Sequence, residues 1–75
     1  MKSKNTDLET VSKLIKELRL EKGFSQEEFS HLIQIDRKYA SLIEKGDKNL
    51  SILMLKKITR GLEISMEDFF RKFEN

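Results

Sequence analysis

Between positions 36 and 49 the chain gathers Arg37, Lys38, Ser41, Lys45, Lys48 and Asn49, all of them hydrogen-bond donors. A guanidinium offers donors in a rigid fork that matches the O6 and N7 acceptors of guanine, and an ammonium suits a phosphate as a point charge. Arg37, Ser41 and Lys45 recur every four residues, so on a helix they make one stripe with Lys38 beside it. Such a stripe can enter a major groove as a unit. Arg37 is then the candidate for direct base readout, Lys38 for a base or the backbone, Ser41 for a base and Lys45 for a phosphate. Lys48 and Asn49 follow in a loop that should overhang the backbone. The bland alternative for Arg37 is an ion pair with Asp36 or Glu44. An exposed pair contributes only ~0–1 kcal/mol and would leave a basic, outward helix start unexplained.

Three further residues belong to this picture. Gln26 sits in the first turn of the preceding helix, where free amides and the positive end of the dipole favour a phosphate, and its side chain can donate to the same group. Tyr39 can stack on the sugar–phosphate backbone, or pack its ring on the first helix instead. His31 is expected on the exposed or half-buried side of its helix, with no second histidine and no cysteine in the chain to form a metal site. Lys56, Lys57 and Arg60 read as a solvated face.

The elements that position these residues are helical. Apolar residues recur at intervals of three and four rather than two, proline is absent, and only three glycines occur. A first helix is predicted from about Leu8 to Lys22, with Leu8, Val11, Ile15 and Leu18 inward, a capping box from Thr6 and Glu9, and Gly23 as the left-handed stop. Ser25 and Glu28 form a capping box for a short helix over Gln26–Leu32, with Phe24 and Phe29 as a hydrophobic staple. Asp36 should cap a third helix that ends before Gly46. Ser51 should cap a fourth carrying Ile52, Leu55, Ile58 and Leu62, with a Leu50–Leu55 staple and Gly61 at its frayed end. Ser65 with Asp68, flanked by Ile64 and Phe69, opens a last helix that continues nearly to Asn75. The expected fold is all-α: a compact five-helix bundle, with residues 1–7 a flexible N-terminal segment and residues 8–75 a single domain. The second and third helices meet across only Ile33 to Ile35, and so tight a connection fixes their angle as a helix-turn-helix. Phe29, Ile33, Ile35, Ala40 and Ile43 should hold them together, with small Ser30 at the closest approach.

At 75 residues the chain is near the size where one hydrophobic core struggles to offset chain entropy. With no cysteine, association with a second copy is the device left to stabilise it. Net charge is only +2, but it is unevenly spread: residues 36–60 carry seven basic and three acidic side chains, and residues 61–75 carry two and four. A basic centre with an acidic end suits a protein with one face on phosphate and another on something else. No apolar run approaches the ~20 residues of a membrane span, and Met1–Thr10 lacks the apolar stretch of a secretory signal, so the expected location is the cytoplasm, at the nucleoid. No nucleophile with a positioned base, carboxylate pair or phosphate-binding glycine loop stands out, so neither an enzyme nor a cofactor or small-molecule ligand is expected.

Over Ile15–Phe70 the runs IKELRLEKGFSQEEFS, IDRKYASLIEKG and DKNLSILMLKKITRGLEIS resemble, in order and spacing, the helix-turn-helix family of phage Cro proteins and repressors (the xenobiotic-response-element type). DRKYASLIEKGDKNLS followed by GLEISMEDFF looks most like the controller proteins of restriction-modification systems within it. The resemblance implies a lambda-repressor-like fold and a small homodimeric transcriptional regulator. It also implies binding to a palindromic operator in double-stranded DNA and control of a restriction-modification operon that includes the protein's own gene. Ser30 and Gln34 stand where the family often has alanine and glycine, and Arg37 stands where many phage repressors have an adenine-reading glutamine, which shifts the expected preference to guanine.

The Phe-rich tail is read separately. Phe69 belongs to the core, whereas Met66, Phe70 and Phe73 share one face at helical spacing and suit a two-fold dimer contact. The alternative folds them back over Leu8 and Val11. The exposed face could also serve a different protein, as in antitoxin or anti-repressor adaptors of the same fold. Activation would need a contact with RNA polymerase, for which Glu27 and Glu28 are the candidates.

Overall fold

A computed structural model describes residues 6–74. They form five helices, α1 (Thr6–Glu21), α2 (Gln26–Leu32), α3 (Arg37–Glu44), α4 (Ile52–Gly61) and α5 (Met66–Glu74), and no strand occurs among the described residues. The expected segment 1–7 is only partly in view: residues 1–5 lie outside the described residues, and Thr6 and Asp7 already belong to α1.

Four of the five helices end in the same way. Behind α1, α2, α3 and α4 the chain turns through a left-handed residue, Gly23 (φ 84°), Gln34 (φ 61°), Gly46 (φ 75°) and Glu63 (φ 60°). The residue after each donates its amide to a carbonyl five positions back: Phe24 to Arg19, Ile35 to Ser30, Asp47 to Leu42 and Ile64 to Thr59. The left-handed residue's own amide donates three positions back, to Leu20, His31, Ile43 and Arg60 in turn, and the two bonds satisfy carbonyls that the helix end leaves free. Gln34 and Glu63 lack glycine's freedom in that region and carry its strain.

The serine caps hold as expected. Ser25 Oγ accepts from Glu28 N at 3.0 Å while Glu28 Oε1 accepts from Ser25 N at 2.8 Å, a complete capping box. Ser51 Oγ accepts from Met54 N, and Ser65 Oγ from Asp68 N at 2.9 Å. Phe24 and Phe29 pair with ring centroids 5.8 Å apart, as a staple requires. Two expected caps differ. Thr6 is the first residue of α1, not its cap. Asp36 occupies the cap position of α3, but its carboxylate makes no capping bond.

The core consists of Ile15, Leu18, Phe29, Ile33, Ile43, Leu55, Ile58, Leu62 and Phe69, with Ala40 also buried. Phe69 is fully enclosed, and burial of such a ring stabilises the fold by about 1.5–3 kcal/mol. α5 packs on both α1 and α4, and α3 on both α1 and α2. Two expectations about α4 are corrected. Ile52, the first residue of α4, is 65% exposed although it keeps the inward spacing, and Thr59 joins Leu55, Ile58 and Leu62 inside. Gly61 is no frayed end. A Cβ there would collide with Ile33 Cγ2 and come within 3.1 Å of Phe29 Cε1, so glycine lets α4 press directly on α2.

Candidate nucleic-acid interface

The third helix presents two different sides. Ala40 and Ile43 are buried, fixing its back to the core, while Arg37 and Lys38 are exposed and Ser41 is half-buried on the side away from them. Lys45, the residue that caps the C-terminus of α3, continues the exposed stripe. Among the described residues Arg37 forms no ion pair: Asp36 stands apart, and the Glu44 carboxylate is engaged elsewhere. Lys48 and Asn49 are exposed in the α3–α4 loop. The structure thus brings Arg37, Lys38, Ser41 and Lys45 onto one face, with Lys48 and Asn49 just beyond its end.

Tyr39 is half-buried, its ring packed against the core and part of it still accessible. Lys56, Lys57 and Arg60 are exposed, in keeping with a solvated face; Lys57 Nζ also donates to the Gln34 carbonyl at 3.3 Å across the turn. His31 is exposed, and no metal-holding group of histidine and carboxylates occurs among the described residues.

Sequence reasoning did not find the polar cluster that anchors this face. Arg19 Nε and Nη2 donate to the two carboxylate oxygens of Glu44 at 2.7 and 3.1 Å, and Arg19 Nη1 donates to the Phe24 carbonyl at 2.7 Å. The two side chains are only 7% and 6% exposed. Gln26 Nε2 donates to the same Glu44 at 3.1 Å. One arginine therefore ties α1 to the turn before α2 and to the end of α3. A signal was available: Ser12, Ile15 and Arg19 fall on one helical stripe, and a charge on an apolar stripe must find a buried partner.

The tail divides. Met66 and Phe73 are half-buried, Met66 against the core, and Phe70 is 37% exposed. Phe70 stacks edge to face with Phe69 and with Phe73, at 5.6 and 6.0 Å between centroids. Ile52, expected inward, and its neighbour Leu53 stand exposed at the start of α4, and Leu20 and Leu32 are exposed on α1 and α2.

A short helix locked at a tight turn against a second helix whose outer side is basic defines the class. The chain belongs to the helix-turn-helix family, whose sequence profile matches residues 15–69. Within it, the chain is 44% identical over 61 residues to the control protein C.MunI of Mycoplasma sp, covering 80% of this chain and 82% of that relative. It is 43% identical over 60 residues to the uncharacterized HTH-type transcriptional regulator YqaF of Bacillus subtilis, covering 80% and 79%. Its fold is similar to that of the restriction-modification controller protein C.Esp1396I in a tetramer with its natural 35 base-pair operator. There the TM-score is 0.88 at 41% identity, over 93% of this chain and 92% of that one. A tyrosine-to-phenylalanine variant of the same controller gives 0.90 at 39%, over 95% and 90%. The resemblance to restriction-modification controllers read from the sequence is borne out.

Proposed function

We propose that this protein is a sequence-specific DNA-binding transcriptional regulator of the controller kind, binding a palindromic operator as a homodimer and regulating a restriction-modification operon that includes its own gene. The observation that carries this reading is the outer side of α3: Arg37 is exposed and forms no ion pair among the described residues, beside Lys38 and Ser41, on a helix whose back is fixed by Ala40 and Ile43. Arg37 is the base reader, with Lys38 and Ser41 beside it in the major groove. Gln26, Tyr39, Lys45, Lys48 and Asn49 contact the sugar–phosphate backbone. Two such modules about 34 Å apart would meet successive major grooves on one side of the duplex. The dimer contact is assigned to Phe70 with Met66 and Phe73, extended by Ile52 and Leu53, since apolar side chains left in water are what a second copy would cover. The site of action is the DNA of the cytoplasm, with no catalytic step.

Selection of sites from random duplex DNA tests the reading. Recovery of a two-fold symmetric sequence, with guanine preference relaxed and affinity reduced by about 1–3 kcal/mol in Arg37→Ala, is the expected result. A folded, dimeric protein that enriches no sequence would instead point to a protein-binding adaptor.

A further inference from the structure

The buried ion pair behind α3 also reaches the surface. Glu44, the last residue of α3, accepts from Arg19 through both carboxylate oxygens, and the oxygen that takes Arg19 Nη2 also takes the amide of Gln26. Gln26 is the first residue of α2 and only half-buried, so part of the residue remains accessible beside this contact. A carboxylate only accepts, so the NH2 end of the amide must face Glu44. That contact uses one N–H, leaves the other, and fixes the plane in which it points. An unanchored glutamine would instead have to freeze its side-chain torsions upon contact with a ligand. Arg19, in turn, holds the carboxylate in a single orientation, because its fork grips both oxygens while its third nitrogen is tied to the Phe24 carbonyl.

We propose that Glu44 is a positioning residue for DNA binding: held by Arg19, it pre-orients the Gln26 amide toward the DNA backbone and makes that contact one rigid unit with α3. The proposal rests on the DNA-binding reading above. It explains why a neutral side chain rather than a lysine suits position 26, since a lysine beside Glu44 would pair with the carboxylate and compete with Arg19. It also predicts that Gln26 matters to binding only while Glu44 is in place.

A double-mutant cycle on operator affinity tests this. The buried pair is replaced as a unit, Arg19→Met with Glu44→Leu, because apolar residues of similar size in place of a buried ion pair commonly preserve the fold. Thermal melting checks that every variant is folded. In the native background Gln26→Ala is expected to weaken binding to the selected operator about tenfold, the worth of one hydrogen bond to a charged group. In the Met/Leu background the same substitution is expected to change affinity less than threefold. Equal losses in the two backgrounds would overturn the role of Glu44, as would no loss in the native one. Arg37→Ala should weaken binding in both backgrounds. A native protein that binds no duplex would defeat the DNA reading and this proposal together, whereas binding with equal losses defeats only this one.

Discussion

Arg19 and Glu44 hold a full ion pair almost out of water, while on another part of the surface Ile52, Leu53 and Phe70 hold hydrocarbon in it. Each arrangement is costly taken alone. Removing two charges from water costs several kcal/mol per ion, offset only when geometry is good and the remaining hydrogen bonds are made. Around Glu44 these conditions are met, with both oxygens and all three guanidinium nitrogens engaged. Exposed hydrocarbon has no internal remedy and calls for another surface. The polar cluster is therefore complete within one chain and gives it a single geometry, whereas the exposed apolar side chains are left for the second copy proposed above to cover.

The largest expected effect comes from breaking the polar cluster on one side only. Glu44→Leu alone leaves the Arg19 guanidinium buried without its partner, and denaturant unfolding should show a loss of about 3–5 kcal/mol. If the single and paired replacements were equally stable, the cluster would not be a closed unit. Next, Phe70→Glu places a charge in the apolar surface. Sedimentation should show the dimer weakened by at least about tenfold while circular dichroism stays helical, because Phe69, not Phe70, fills the core. Loss of helicity would mean instead that Phe70 supports the monomer. Gln34→Gly relieves a left-handed residue in the turn ahead of α3 and should raise stability by roughly 0.5–1 kcal/mol. Its carbonyl, the acceptor for Lys57, is retained. The smallest effect is expected at Ser12, whose buried hydroxyl has no hydrogen-bond partner among the described residues. Ser12→Ala should leave the melting temperature unchanged or slightly raised, since a buried hydroxyl without a partner carries a desolvation cost. A clear drop would reveal a partner for that oxygen.

Much of the fold was legible because its signals are local. Ser25, Ser51 and Ser65 each cap a helix whose third residue supplies the amide, and such a bond is visible to anyone counting three positions. The outward stripe of α3 was legible for the same reason. Asp36 shows where local reasoning stops: it stands at the cap position, yet makes no capping bond. Ile52 and Gly61 show the same limit, since where a helix end lies relative to the core depends on neighbours far along the chain.

The sequence by itself determined the five helices, the glycine stops behind α1 and α3 and the basic outer side of α3, because these follow from spacings of three to five residues. Only the tertiary structure decided that Arg19 would meet Glu44, 25 positions away, that Gln26 would be tied to that pair, and that Gly61 would let α4 rest on Ile33 and Phe29. Burial and partnership across the core depend on how the helices are stacked, and no spacing within one helix specifies the angle at which another crosses it.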